Sequence, residues 1–335
     1  VSRWKGTRRI IPLLAAFMLL LAGCGITGTE PNPLEPKGSV AEDQLFLIKL
    51  SLGIMIGVLV IVFALFFYVL IRYRKRRGQD DIPKQVEGNH ILEIVWTVVP
   101  LLLLLVLAVP TVYYTFKFAE DYREHQDALQ VNVTAHQYWW EFEYPDYGII
   151  TAQELYIPVN KTVSVDLISA DVIHSFWVPA LAGKMDTLVG MNNHMYFDAK
   201  EEGVYKGKCA ELCGASHALM DFKVIAVSQE EFEAWVDKMQ NPGYAIAEDT
   251  SQGQELFKNK CMACHAIDAG TPGLGPNLTN YADRALVAGF RPNDSEWLHR
   301  WIDKPDEMKP GTTMPEVPLS EDEITEIVNY LQTLK

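Results

Sequence analysis

The sequence predicts a multidomain chain: two transmembrane α-helices, then an all-β sandwich, then an all-α domain. Three observations predict it. Two apolar segments, about Leu45 to Ile71 and Ile91 to Phe116, are each long enough to cross a hydrocarbon core of about 30 Å, which needs roughly 20 residues. Short alternating runs rich in β-branched and aromatic residues occupy Leu129 to Val227. The last 85 residues return to helical spacing between Gly and Pro loops.

Averages over the chain hide this division. The 335 residues are 49% hydrophobic with a formal net charge of −14, values that fit an ordinary soluble acidic protein. Up to Lys117, however, 13 Lys and Arg face 8 Asp and Glu, a balance of +5, and beyond it 16 face 35, a balance of −19. This split excludes a simple cytoplasmic enzyme. It also excludes nucleic acid as a main partner, because the acidic part repels a phosphate backbone. With 11% aromatic residues the chain can support packed cores, which excludes low-complexity disorder.

Residues 1–23 read as a lipoprotein signal peptide, with a basic start (Arg3, Lys5, Arg8, Arg9), an apolar stretch from Ile10 to Leu21 and then Ala22-Gly23-Cys24. That ending resembles the bacterial lipobox, in which the cysteine is lipidated, so Cys24 is the expected anchor. Residues 24–43 read as a linker and 44–117 as a transmembrane hairpin. Between the two helices Arg72 to Arg77 carries five positive charges in six residues, which places this connection in the cytoplasm. The N-terminal and C-terminal parts then lie on the outer face of a bacterial cell membrane. Pro100 and Pro110 fall inside the second helix, which is expected to pack against a larger membrane partner.

Residues 118–240 read as the β domain, with strands expected at 129–133, 138–144, 162–168 and 222–227 and a closing helix at 230–240. Within it, Cys209, Cys213, His217 and Met220 fall within twelve residues. Thiolate, imidazole and thioether are soft donors that together select copper. One cysteine suffices for a mononuclear copper site, whereas two thiolates can bridge two metals. Each copper then needs a nitrogen donor, and His174 is the second candidate. The weak axial positions fall to Met220 and to a main-chain carbonyl, that of Glu211. A Cys209–Cys213 disulfide leaves His217 and Met220 without a role, and Met is a poor zinc ligand. His136 and His194 read as ordinary polar or packing residues.

Asp171 to Pro179, Gly183 to Asp186 and Cys209 to Met220 together resemble the dinuclear copper domain of subunit II of haem–copper cytochrome c oxidases. Leu92 to Pro100 is similar to the start of that family's second transmembrane helix. The resemblance covers about residues 40 to 228. It implies a cupredoxin-like fold and copper ligands His174, Cys209, Glu211 (carbonyl), Cys213, His217 and Met220. It further implies that the Glu211 side chain helps hold a magnesium ion at the boundary with subunit I. Glu93 matches a glutamate at the mouth of a proton path into subunit I. The family segment Gln-Trp-Tyr-Trp, whose first Trp accepts electrons from soluble cytochrome c, reads Gln137-Tyr138-Trp139-Trp140 here. Tyr138, Trp139 and Trp140 are therefore the candidates for accepting electrons. Met191 stands where many members carry Arg.

After a linker at 241–250, residues 251–335 carry Cys261-Met262-Ala263-Cys264-His265, the C-x-x-C-H signature of covalent haem c. Two thiols add to the haem vinyl groups and the adjacent His265 binds iron. Gly253 to Lys260, Gly275 to Leu278 and Pro310 to Pro315 resemble the first helix, the haem-covering loop and the axial-Met loop of class I cytochromes c. Met314 is thus the expected sixth ligand, with Met308 as a rival lacking the Pro-Gly-Thr context. A final helix is expected from Glu321 to Leu334. As a whole the chain resembles subunit II of a bacterial caa-type oxidase. That resemblance implies transfer from haem c through the copper pair to haem a of subunit I, where oxygen is reduced. The partners it implies are subunit I, subunit III and further small subunits, membrane lipid, and an upstream basic cytochrome c or reductase complex drawn by the acidic surface.

Overall fold

The computed structural model describes residues 32–75, 78, 85, 87–243 and 251–335. The leader, Cys24, the first part of the proposed linker at 24–43 and most of that at 241–250 lie outside the described residues.

Helix α1 spans Ser39–Arg72 and α2 spans His90–Phe118. Their most apolar windows reach mean hydropathies of 3.1 and 2.6, and none of those windows is buried within the chain. A helix that is apolar all round must find its covering in lipid or another protein. Asn89 caps α2 by accepting from the amides of Ile91 and Leu92 at 3.0 and 3.2 Å, and the helix continues through Pro100 and Pro110.

The start of α1 differs from expectation. It lies inside the segment read as linker, because Glu42 and Asp43 look like loop residues in sequence but find partners on other elements. Asp43 pairs with Lys117 at 2.5 Å, joining the start of α1 to the end of α2, and Glu42 pairs with Lys200 at 2.5 Å. The chain just before α1 is strapped to the β domain, with Lys37 N donating to Ala180 O at 2.7 Å and Ser39 N to the Asp198 carboxylate at 2.8 Å. Gly38 permits this approach, since a Cβ there would lie 2.3 Å from Asp198 O.

The β domain is a sandwich of two five-stranded sheets. One has the order β3-β2-β1-β5-β8 and the other β4-β10-β9-β6-β7. The strands are β1 Leu129–His136, β2 Trp139–Tyr144, β3 Ile149–Ala152, β4 Glu154–Pro158, β5 Val163–Ser169, β6 His174–Trp177, β7 Lys184–Thr187, β8 Asn193–Phe197, β9 Gly203–Cys209 and β10 Asp221–Val227. Two parallel pairings, β1 with β5 and β4 with β10, occur among antiparallel ones. Burial alternates residue by residue along β1 and β10, as expected of strands with one face in a core. Trp140, Phe142, Phe176, Phe197 and Phe222 fill the space between the sheets. Helix α3, Gln229–Gln240, starts in a capping box made by Ser228 and Glu231 and closes one end of the sandwich with Phe232 and Val236.

The C-terminal domain holds α4 Ser251–Lys260, α5 Ser295–Asp303, the short α6 Pro305–Met308 and α7 Glu321–Leu331, with one small ladder, β11 Leu286–Val287 against β12 Arg291–Pro292. Its separate core gathers Phe257, Leu298, Ile302, Ile324, Ile327 and Val328. Two membrane helices, a cupredoxin-like sandwich and a helical cytochrome-like domain therefore follow one another as the sequence predicts.

Candidate metal and haem centres

One end of the second sheet brings six potential metal donors together. Strand β6 begins with His174 and β9 ends with Cys209, and the pairing of Phe176 with Cys209 fixes their separation. The intervening loop is closed at its base by Cys209 N donating to Met220 O at 3.0 Å. His174 Nδ1 stands 3.9 Å from Cys209 Sγ, and His217 Nδ1 stands 3.6 Å from Cys213 Sγ. The two sulfurs are 3.9 Å apart, far beyond a disulfide bond of about 2.05 Å. Met220 Sδ lies 3.7 Å from Cys213 Sγ, and the Glu211 carbonyl lies 3.2 Å from Cys209 Sγ. Each thiol thus has its own imidazole and its own weak donor. The donor atoms of His174, Cys209 and Cys213 all lie within 4.8 Å of one another.

Neighbouring groups orient these donors. The Asp171 carboxylate meets His174 Nε2 at 2.7 Å, which turns Nδ1 toward the sulfurs. Asp171 is itself held by the amides of Gln137 and Val172, each at 2.6 Å. Gln137 Nε2 donates to Cys213 O at 2.5 Å, and Ala215 N donates to the Tyr138 hydroxyl at 3.0 Å. Gly214, at φ +136°, allows this packing, since a Cβ there would lie 2.5 Å from that hydroxyl. The two thiols share a proton: donation from Cys213 stabilises the Cys209 thiolate and pushes its pKa down, while Cys213 is pushed up in turn. Trp140 stands edge-on to His174 with ring centroids 6.1 Å apart, part of an apolar wall that includes Phe176. A pair of soft thiolates with two imidazoles, a thioether and a carbonyl, in a pocket where His174, Cys209, Cys213 and Met220 are buried, fits copper better than zinc.

The structure brings together the six residues that the sequence singles out, five of which share one loop. Sequence reasoning missed the orienting roles of Asp171 and Gln137, although the Asp171-x-x-His174 spacing carries the signal for the first. Tyr138, Trp139 and Trp140 occupy unexpected surroundings. All three are buried, and Trp139 is covered by a parallel stack with the His136 ring at 4.1 Å. Glu93 sits in the first turn of α2, half-exposed, with its carboxylate 3.6 Å from His90 Nδ1. The Glu211 side chain is half-buried at the rim of the copper loop.

In the C-terminal domain, Cys261 and Cys264 are both unbridged and half-buried. Burial pushes the Cys261 thiol up to about 11. His265 Nδ1 lies 2.8 Å from Pro276 O, which requires the proton on that nitrogen and leaves Nε2 as the metal-binding lone pair. Burial lowers the pKa of His265, which favours the neutral ring a metal needs. Gly275 lies flat against the ring, and a Cβ there would fall 2.8 Å from His265 Cε1. The attachment residues therefore fit a covalent haem, with the imidazole held from behind. Met314 lies half-buried in the loop between α6 and α7, whereas Met308 ends α6 and lines a polar surface cleft with Arg291, Trp297 and Arg300.

Comparison with known proteins agrees with this geometry. The family model for the cytochrome c oxidase subunit II transmembrane domain matches residues 37–113, and that for its periplasmic domain matches residues 148–227. The cytochrome c model matches residues 250–335. The chain is 44% identical to cytochrome c oxidase subunit 2 of Alkalihalophilus pseudofirmus, over 99% of this chain and 98% of that one. It is 46% identical to the Bacillus subtilis protein of the same name, over 100% and 99%. Quinol oxidase subunit 2 of Bacillus spizizenii is 38% identical over 70% of this chain and 74% of its own length. These matches imply copper in the β domain, haem c in the C-terminal domain and a membrane-anchored chain that partners subunit I. The chain belongs to the cytochrome c oxidase subunit II family, in a form that carries its own cytochrome c domain.

Proposed function

We propose that this subunit receives electrons at a haem c bound through Cys261 and Cys264, passes them one at a time to a dinuclear copper centre, and delivers them to haem a of subunit I for reduction of oxygen to water. The observation that carries this reading is the convergence of His174, Cys209, Glu211, Cys213, His217 and Met220, with one imidazole and one weak donor beside each thiol. A thiolate-bridged copper pair supplies one-electron transfer with little change in geometry, and a His–Met haem c supplies the same at a raised potential. The chain's own residues do the rest. Asp171 fixes the His174 ring, Pro276 fixes the His265 ring, and Trp140 and Phe176 keep water from the copper pocket. Met314 closes the sixth haem position. The Glu211 carboxylate contributes to a magnesium site against subunit I, and Glu93 gathers protons at the cytoplasmic end of α2. The Arg72 to Arg77 segment faces the cytoplasm, the two redox domains face outward, and Cys24 adds a lipid anchor. Subunit III and smaller subunits complete the complex.

The relatives covering nearly the whole chain are cytochrome c oxidase subunits, while the quinol oxidase subunit covers 70% of it, which favours haem c over quinol as the donor. Purification of the native complex tests the proposal. Stoichiometric haem a, a near-infrared copper band with a multi-line paramagnetic resonance signal, and cyanide-sensitive oxygen uptake are expected. Nitric oxide consumption without oxygen uptake, or direct oxidation of quinol that bypasses haem c, overturns it. Met314→Leu is expected to abolish the weak red-edge band of the ferric haem, and Met308→Leu to leave it intact.

A further inference from the structure

The haem domain meets the copper domain through several contacts, among them Ile150 N donating to Ala269 O at 2.6 Å, Ala285 N donating to Glu154 Oε1 at 2.9 Å, and a buried lysine. Lys309 is 2% exposed, and its Nζ donates to Tyr138 O of the copper domain at 2.6 Å and to Ala288 O of the haem domain at 2.8 Å. A buried amine costs several kcal/mol in lost hydration unless its donors are satisfied. The Lys309 bond to Ala288 O is internal to the haem domain, whereas its bond to Tyr138 O forms only when the two domains are apposed.

Glycines make that apposition possible from the haem-domain side. Gly289, at φ +84° in the turn between β11 and β12, has no room for a Cβ, which would fall 1.8 Å from Gln153 Nε2 of the copper domain. Gly311, at φ +78°, lies against the Tyr138 ring, where a Cβ would sit 3.1 Å from the hydroxyl. Beside it Ser216 Oγ donates to Pro310 O at 2.7 Å. Ser216 precedes the copper donor His217, and Pro310 lies in the loop that carries Met314. One hydrogen bond therefore joins a side chain of the copper loop to the backbone of the axial-Met loop.

We infer that Lys309 and Ser216 are positioning residues that clamp the axial-Met loop of the haem domain onto the copper loop, fixing the orientation through which an electron crosses. The inference rests on the haem-to-copper route proposed above. A haem c and a copper pair held on the two sides would exchange one electron in each crossing, the one being oxidised as the other is reduced. Tyr138 thereby becomes an internal spacer covered by the chain's own haem domain rather than a surface for a soluble donor.

The test uses the complete complex with both centres oxidised, when ferric haem and the copper pair are both paramagnetic. Pulsed dipolar resonance reads their separation, and flash reduction of the haem reads the transfer rate. Wild type is expected to give one narrow separation. Lys309→Met and Ser216→Ala are each expected to broaden it and to slow haem-to-copper transfer by about tenfold or more, with both optical spectra unchanged. A broad separation in wild type, or variants that leave both separation and rate unchanged, overturns the clamp while the electron route stands. Should Lys309→Met fail to assemble, the wild-type distribution and Ser216→Ala still decide. A narrow separation with no electron passing from haem to copper in wild type overturns the route itself.

Discussion

Asp171 is not among the six donors, yet it decides which nitrogen of His174 faces the sulfurs. With its carboxylate 2.7 Å from Nε2, it holds the proton on that side and leaves Nδ1 free. Orienting partners of this kind typically contribute 10–100-fold in metal affinity. Asp171→Asn keeps the shape and removes the charge, so copper affinity is expected to fall by about tenfold, and Asp171→Ala by about a hundredfold, in a titration followed by the near-infrared band. An unchanged affinity in the alanine variant would show that the histidine is oriented by packing alone. His136 makes a different prediction. Burial against Trp139 lowers its pKa from 6.5 to about 4, with Asp171 opposing and His174 assisting. The folded state therefore resists protonation that the unfolded chain accepts. The resulting stability is fully present above about pH 6.5 and is lost as pH falls toward about 4, a change on the order of 3 kcal/mol. His136→Phe keeps the stack without the titration. Its unfolding midpoint is expected to depend less on pH than that of wild type across this window, and parallel curves would refute the assignment.

At the scale of elements, the contact between α4 and α7 is set by a glycine. A Cβ on Gly253 would lie 2.1 Å from Glu326 O and 2.9 Å from Tyr330 Cβ, so the helices touch backbone to side. Ala is better than Gly inside a free helix by about 1 kcal/mol, but here a backbone atom stands in the way and the helices must separate. The clash outweighs the propensity. Gly253→Ala is expected to destabilise the haem domain by roughly 2 kcal/mol, read as a lower melting midpoint of the haem band. Gly53, with nothing within 4 Å of the added carbon, is the neutral control. Elements were legible in the sequence wherever one face is buried and the other wet. Strands β1 and β10 alternate and were read to within a few residues of their observed ends. Strand β6 was not, because His174, Ser175 and Phe176 are buried in succession and give no alternation. The proposed copper donors stand out in the sequence because one loop holds five of them. Lys309 does not, since one lysine among 29 basic residues carries no local mark of burial, and its surroundings exist only once two domains meet.

For the whole molecule, fusion changes where a soluble donor can act. Tyr138 is 4% exposed and lies under Lys309 and Gly311, so this part of the β domain is covered from within by the chain's own C-terminal domain. The part of the chain beyond Lys117 carries a balance of −19, which attracts a basic protein to its surface. Tethering also keeps the haem at high effective concentration beside the copper, so that internal transfer outpaces a second encounter. Together these features predict an order of events. When the oxidised complex is mixed rapidly with a reduced basic cytochrome c, the haem c band is expected to reduce first and the near-infrared copper band to bleach afterwards, at a rate independent of donor concentration. The first phase is expected to slow as salt rises, because long-range attraction between surface charges is screened over about 10 Å at 0.1 M ionic strength. The second phase, which crosses a buried contact, is expected to change little with salt. Copper that bleaches before or together with the haem, at a rate set by donor concentration, would mean that the copper face is open to the donor and that the haem domain is a side branch rather than the route.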